Sequence, residues 1–246
     1  MILAVIPARF ASTRFPGKPL HLIAGTPLVQ HVWNRCQGCT KLNHTVIATD
    51  DERIAAVCRG FGAAVVMTSP DHPSGTDRVA EVAGKFPDAD ILINVQGDEP
   101  LISPDLIDRL AQALVDDPTL PMVTAAAPLT DLRLRRDPNI VKVTLTTTGR
   151  ALYFSRSEIP YPRDPAPGLT WFWHKGIYGY RRDFIQKFVT WPASPLERTE
   201  GLEQLRALEN GAAIQVVITE DDSPGVDTLE QANALEQRLL ERSRMC

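Results

Sequence analysis

Cysteine is scarce: four in 246 residues, at positions 36, 39, 58 and 246, too few and too scattered for a disulfide-stapled scaffold. Cys36-x-x-Cys39 lacks a second Cys or His pair at zinc spacing, so structural or incidental thiols are expected. Positive charge is not in excess either, since 26 Lys+Arg against 30 Asp+Glu leaves −4. That balance excludes a surface built to grip nucleic-acid phosphates but permits a local basic pocket. No apolar run approaches the roughly 18 residues of a membrane span, and Met1 to Ile6 meets Pro7 and Arg9 too soon for a secretory h-region. The expectation is a soluble, cytoplasmic chain without membrane insertion. Two glycine motifs are missing as well. Neither Gly-x-x-x-x-Gly-Lys-Ser/Thr nor Gly-x-Gly-x-x-Gly occurs, which removes the P-loop and the dinucleotide fingerprint. There are no internal repeats and no low-complexity tract.

What is present is ordinary globular usage, 43% hydrophobic and 23% charged, at a length that suits one large α/β domain with an inserted part. Short apolar runs at Leu3–Ile6, Thr45–Ala48, Ala64–Met67, Ile91–Val95, Met122–Ala127 and Ile214–Thr219 predict strands. Helical patterns lie between them. One opens near Gly25-Thr26-Pro27 with Leu28, Val32, Trp33 and Cys36 on a face, one runs through Ile54, Val57 and Cys58 to Gly60, one spans Thr76–Lys85, and one runs from Ser103-Pro104 to Asp117. This alternation is the pattern of βαβ units in a mainly parallel sheet with helices on both faces.

After Pro128 the pattern changes. Ile140–Thr146 and Ala151–Ser155 flank Thr147-Thr148-Gly149-Arg150 as a β-hairpin, and Ile159–Pro167, with four prolines, reads as an extended loop. Gly176–Tyr180 predicts a strand and Asp183–Phe188 a short helix. Ser194-Pro195-Leu196-Glu197 is a capping box opening a long helix to Asn210-Gly211, and Leu229–Leu240 a terminal helix. The expected organisation is a nucleotide-binding part over about 1–127, a β-rich insertion over about 128–193, and a return to the core over about 194–246.

The loop Pro7–Leu20 after the first strand carries Arg9, Ser12, Thr13, Arg14, Gly17 and Lys18. Cations, hydroxyls and backbone N–H groups at the C-terminal edge of a sheet are equipment for a polyphosphate, the plain alternative being a solvated basic loop. A second signal is Gln96-Gly97-Asp98-Glu99-Pro100, directly after the most apolar strand. Asp98 there is costly to bury unless paired or cation-bound, and Mg²⁺ favours one or two carboxylates plus phosphate oxygens. Glu99 has a weaker claim, because Glu sits freely on surfaces.

The form Ile6-Pro-Ala-Arg9, Ser12-Thr-Arg14 and Pro16-Gly-Lys-Pro-Leu20 resembles the sugar nucleotidyltransferases, and within them the 3-deoxy-manno-octulosonate (Kdo) cytidylyltransferases. The resemblance continues in order through Ala48-Thr-Asp50, His72-Pro-Ser-Gly-Thr-Asp-Arg78, Asn94 to Pro100, Pro138-Asn139, Val141-Lys-Val143 and Ala151 to Arg156. It runs on through His174 to Tyr180, Ser194 to Glu197, Leu202 to Arg206 and Gly225-Val-Asp-Thr228. Nearly the whole chain is covered.

The resemblance implies a Rossmann-like nucleotidyltransferase core and a reaction in which CMP passes from CTP to Kdo, releasing pyrophosphate and activating Kdo for lipopolysaccharide biosynthesis. It implies that Arg9, Ser12, Arg14 and Lys18 hold the triphosphate, and that Ser74, Gly75 and Arg78, with first-loop backbone at Ala8, meet the cytosine and ribose. Asp227 joins Asp98 on Mg²⁺, although Asp227-Thr-Leu-Glu230 also fits a helix cap. Arg9, Lys18, Asp98 and Asp227 are the catalytic candidates. Arg156, His174 and Tyr178 are implied as cationic or neutral donors to Kdo, with Gln96 (also on the CTP side), Glu200, Glu203 and Gln204 on its hydroxyls. For Arg78 a surface ion pair, and for His174 a structural imidazole, are the alternatives. Glu200 and Glu203 are expected on one helix face, while Glu197 is consumed by its cap. Trp173 and Lys175 depart from the usual family residues beside His174, which leaves the 8-amino analogue of Kdo or a sialic-type acid open as acceptor. A homodimer is expected from the family, and a non-catalytic nucleotide-sensing module is the non-enzyme alternative.

Overall fold

A computed structural model describes residues 1–11, 15–164, 169–221 and 225–245, with side chains up to 241. The elements follow in chain order. β1 (Ile2–Ala8) leads into a short 3₁₀ turn (Lys18–Leu20), then β2 (Leu22–Ile23), β3 (Thr26–Pro27), α1 (Leu28–Gln37), β4 (His44–Thr49), α2 (Glu52–Gly60), β5 (Ala64–Met67), α3 (Gly75–Lys85), β6 (Ile91–Asn94) and α4 (Pro104–Asp116). β7 (Met122–Pro128), β8 (Lys142–Leu145), β9 (Ala151–Ser155), β10 (Phe172–Arg181), α5 (Arg182–Phe188), α6 (Pro195–Glu200), α7 (Gln204–Glu209), β11 (Ile214–Ile218) and α8 (Leu229–Met245) complete the chain. The chain divides into two compact units: Met1–Asp108 with Ser223–Cys246, and Arg109–Asp222.

The first unit is built on four parallel strands in the order β6, β1, β4, β5. Leu3 to Ile6 and Leu92 to Ile93 are fully buried, which explains their unbroken apolar runs: a strand covered on both faces has no polar side to show. The order reverses at β1, since β4 and β5 extend one way and β6 returns to its other side. The crevice beyond the carboxyl ends of β1 and β6 is therefore the topological switch point, where open α/β sheets bind ligands. The crossover helices α2 and α3 start on side-chain caps, whereas α1 starts after Pro27 without one. Asp51 accepts the Arg53 N–H at α2, and Ser74 accepts those of Thr76 and Asp77 at α3.

The last helix closes this unit. Ala232 and Leu235 of α8 pack with Ile23, Leu28 and Val226, and Phe15, Leu101 and Leu239 lie against that cluster. α8 begins on a box one residue later than the sequence suggests: Thr228 Oγ1 accepts the Gln231 N–H at 3.3 Å, and Gln231 Oε1 accepts the Thr228 N–H at 3.1 Å. Asp227 thus precedes the cap instead of forming it. β2 and β3 form a two-residue antiparallel pair that sequence periodicity missed, because two residues carry no period.

The second unit carries mixed pairing. β11 runs parallel to β7, β7 antiparallel to β10, and β8 antiparallel to both β10 and β9. The predicted hairpin is present, and β10 is longer than expected, with an irregularity between Lys175 and Tyr178 that leaves Gly176 and Ile177 out of register with β7. The single long helix expected from Ser194 is two short ones. The Ser194–Glu197 capping box opens α6, but Gly201, at φ 62°, sits in the left-handed region and stops it before α7. Glu200 and Glu203 therefore belong to different elements and share no helix face.

Replacing Thr228 by Ala deletes the box at α8 and is expected to lower unfolding free energy by about 1 kcal/mol. Urea denaturation of the two proteins measures this directly.

Candidate active site

A cavity of about 390 Å³ opens at the switch point, within the usual range for small-molecule sites. Pro7, Ala8 and Arg9 from the end of β1, Lys18 and Pro19 from the 3₁₀ turn, His72 to Gly75 and Arg78 from the α3 entry, Gln96 to Asp98 after β6, and Asp227 line it. Five segments remote in sequence meet there because the parallel sheet delivers strand ends to one edge.

Lys18 stands at the centre. Its Nζ donates to Asp98 Oδ2 at 2.7 Å and to Asp227 Oδ1 at 3.1 Å. The ammonium is mostly buried, at 15% side-chain exposure, so this pairing carries more weight than a surface bridge. Its position depends on Gly17, at φ 71°, where a Cβ would also come within 3.2 Å of the Phe10 ring. The two carboxylates are brought together by backbone: Val226 N–H donates to the Asp98 carbonyl at 2.7 Å, and Val226 is anchored in the apolar cluster under α8. Gly97 allows the β6 loop to close on β1, since a Cβ there would lie 2.7 Å from the Pro7 carbonyl oxygen.

Arg78 is not a surface residue. It is 4% exposed, pairs with Asp50 Oδ1 at 3.1 Å through Nη2, and donates from Nη1 to Thr68 Oγ1. The guanidinium is fixed from behind while the residue lines the cavity. The Ser74 hydroxyl caps α3 and donates to Asp77 Oδ2 at 2.7 Å. Gln96 lines the cavity beside Gly97. Ser12 and Arg14 lie outside the described residues. Cys36, Cys39 and Cys58 are free thiols, each raised by burial, Cys39 and Cys58 to about 12, which makes them poor nucleophiles.

The remaining predicted residues form a polar cluster inside the second unit. His174 is buried, with Nε2 at 3.0 Å from Thr124 Oγ1 and its ring edge-on to Phe154 at 4.9 Å. Burial, helped by the adjacent Lys175 charge, pushes its pKa down to about 3, so the ring is a neutral partner. Tyr178 lies beside it, the rings tilted by 48° with centroids 5.5 Å apart, and donates to Gln204 Oε1 at 3.2 Å, while the buried Gln204 Nε2 makes no hydrogen bond among the described residues. Arg156 is held by carbonyl oxygens, from Nε to Glu200 at 2.6 Å and from Nη1 to Pro138 at 2.9 Å. The Glu200 carboxylate accepts from the Ser155 hydroxyl at 2.6 Å and the Arg156 N–H at 3.0 Å. Glu203 lies 3.5 Å from Arg206, whose stronger partner is Glu197 at 2.6 Å. Glu197 is therefore spent on its cap and on Arg206.

Residues 3–218 match the family model for cytidylyltransferases. The chain belongs to the cytidylyltransferase family. A 3-deoxy-manno-octulosonate cytidylyltransferase from Syntrophotalea carbinolica is 50% identical over 97% of this chain and 98% of its own length. One from Solibacter usitatus is 53% identical over 93% and 90%. A solved structure of CMP:2-keto-3-deoxy-manno-octonic acid synthetase complexed with CTP is 42% identical, covers 98% of this chain and 99% of its own, and superposes with a TM-score of 0.94. These likenesses agree with the Kdo branch of the family to which the motifs pointed.

Within this cytidylyltransferase, Ala8, Arg9, Lys18, Ser74, Gly75, Arg78, Gln96, Asp98 and Asp227 are brought to one cavity of the first unit. In the second unit His174, Tyr178 and Gln204 form one set of contacts, and Arg156 and Glu200 another. Sequence reasoning missed three residues of the first unit: His72 on the cavity wall, Asp50 behind Arg78, and Glu81, which pairs with His72 at 2.6 Å. Asp50 carried a signal, ending a strand at the same sheet edge.

Gly97→Ala is expected to destabilise the fold by about 1–3 kcal/mol, because its Cβ meets backbone that cannot rotate away; a thermal melt against wild type checks this. His174 makes a second expectation. Its folded pKa lies below the ordinary value near 6.5, so its contribution to stability is present above pH 6.5 and is lost as pH falls toward about 3. Urea midpoints between pH 7 and 4 should decline less steeply in His174→Gln than in wild type.

Proposed function

We infer that this chain transfers CMP from CTP to 3-deoxy-manno-octulosonate, giving CMP-Kdo and pyrophosphate. The observation that carries this reading is the convergence of Lys18, Asp98 and Asp227 at the mouth of a cavity lined by the first-strand loop and the α3 entry. The named relatives at about half identity over nearly the full chain support the substrate pair.

Asp98 and Asp227 suit a divalent cation. Two anionic oxygens both reach one ammonium, so they already converge on the place of a positive charge, and Mg²⁺ is commonly held by two carboxylates plus substrate phosphates. Asp98 and Asp227 would hold such a cation, and the chemistry it would supply when bound is Lewis-acid stabilisation of phosphate charge and a lowered pKa of the acceptor hydroxyl. Arg9 and Lys18 then lie where the triphosphate needs positive charge, and Ser12 and Arg14 of the same loop are assigned to it with them. As the anomeric oxygen bonds to the α-phosphorus, the bond from that phosphorus to pyrophosphate breaks, and these cations stabilise the charge that builds on the leaving group. Arg78, immobilised by Asp50 and Thr68, holds the nucleoside with Ser74, Gly75 and the Ala8 backbone. Gln96 touches nucleotide or acceptor.

The acceptor reading rests on the second unit's network. Tyr178 and the buried Gln204 amide supply donors for Kdo hydroxyls, Arg156 for its carboxylate, and Glu200 and Glu203 the acceptors, with His174 fixing the Tyr178 ring from beside it. The same reading takes the protein to be a cytoplasmic homodimer supplying activated sugar for lipopolysaccharide, as its resemblance to the Kdo cytidylyltransferases implies. No described helix is long and apolar enough to cross a membrane.

Asp98→Asn is expected to reduce pyrophosphate release from CTP plus Kdo by about 100-fold or more while the thermal melt stays near wild type. Wild-type rates from this variant in an Mg²⁺ assay would sink the mechanism. Running wild type with Kdo, its 8-amino analogue and neuraminate fixes the acceptor, and product with neuraminate but not Kdo overturns the assignment. CTP binding with no pyrophosphate from any acid sugar would make the chain a sensor.

A further inference from the structure

The nucleotide reading leaves one polar side chain of the cavity wall unused. His72 lines the cavity two residues before the cap of α3, and its Nε2 lies 2.6 Å from Glu81 Oε2. Glu81 is itself firmly held. Oε2 also accepts the Ser69 N–H at 2.8 Å, and Oε1 accepts Lys85 Nζ at 2.6 Å, while Lys85 reaches the Met67 carbonyl at 2.7 Å. The imidazole is therefore clamped to α3 through a carboxylate that is tied down at both oxygens.

This arrangement decides which ring nitrogen carries the proton. Burial disfavours charge on Glu81, but the hydrogen bonds from Lys85, Ser69 and His72 outweigh it and hold its carboxyl down to about 2. An ionised carboxylate only accepts, so the proton in the short contact belongs to His72 Nε2. In the neutral ring Nδ1 is then an acceptor, and it makes no hydrogen bond among the described residues. A triphosphate offers only acceptor oxygens to such an atom. Donors on a nucleotide sit on the other half, at the exocyclic amine of cytosine and the ribose hydroxyls.

We propose that His72, clamped by Glu81, is a specificity-determining residue that accepts a hydrogen bond from a donor on the nucleoside half of the substrate. The inference rests on the reading of the cavity as a CTP site. Glu81 acts through His72 and is a positioning residue.

Calorimetric titration at pH 8.5, two units above the ordinary imidazole value, tests it with CTP, UTP, 2′-deoxy-CTP and 3′-deoxy-CTP. His72→Phe keeps a planar aromatic ring and removes the acceptor, and is expected to weaken CTP about fivefold to tenfold, the worth of one hydrogen bond. That loss should vanish for the one analogue lacking the donor: UTP if the amine is read, a deoxynucleotide if a hydroxyl is. Glu81→Leu should reproduce the loss, Glu81→Gln should show a smaller one because its amide oxygen still accepts from Nε2, and the double variant His72→Phe/Glu81→Leu should be no worse than either single change. Wild-type affinity for CTP in His72→Phe overturns the proposal. So does an equal loss for all four nucleotides, which would reduce the pair to an anchor of the loop before α3. If wild type itself does not bind CTP, the nucleotide reading fails and takes this inference with it.

Discussion

One ammonium between two carboxylates organises the first unit's site. Asp98 leaves the end of a buried strand, Asp227 precedes the last helix, and Lys18 sits on a turn after the first strand. Two like charges brought this close repel unless a cation lies between them, and Lys18 Nζ at 2.7 and 3.1 Å supplies it. The neighbouring backbone serves the same end. Gly17 places the lysine, Gly97 lets the β6 loop reach β1, and the Val226 N–H ties one carboxylate's segment to the other's carbonyl. The site is thus prearranged by its own charges before any substrate is present, which is the condition for electrostatic catalysis without reorganisation.

Much of this was legible in the chain because the physics involved is local. A short apolar run such as Ile91–Ile93 has few alternatives to a buried strand, and a carboxylate shortly beyond it announces a cation or a partner. Ser194-Pro-Leu-Glu197 spells its own cap, present as expected. The resemblance carried Asp227 and the acceptor residues, which no local pattern would have joined to Asp98.

Other features failed to show because they depend on tertiary contacts. Gly201 interrupts a helical pattern, but a single glycine is tolerated in many helices, and only its positive φ turns one predicted helix into α6 and α7. The cap of α8 lies at Thr228 because Gln231 reaches back to it, a choice that Asp227-Thr-Leu-Glu230 disguised. Arg78 reads as an ordinary helix arginine until β4 delivers Asp50 behind it. His72 opens a block that carries the resemblance, but its pairing gave no sign, since its partner Glu81 sits nine residues on and across a helix cap. Charge partners made by folding, unlike periodicity, leave no trace in spacing.

The first unit is discontinuous: its sheet is complete by Asn94, yet Asp227 and the helix that buries Val226 come from the other end of the chain. During synthesis the sheet and its cationic loop emerge long before their second carboxylate does. Lys18 and Asp98 can meet early, but the three-charge arrangement waits for the last two dozen residues. A chain that stops short of residue 227 consequently leaves Lys18 with Asp98 alone, so the charge balance of the cavity is set only when the C-terminal segment has folded back onto the sheet.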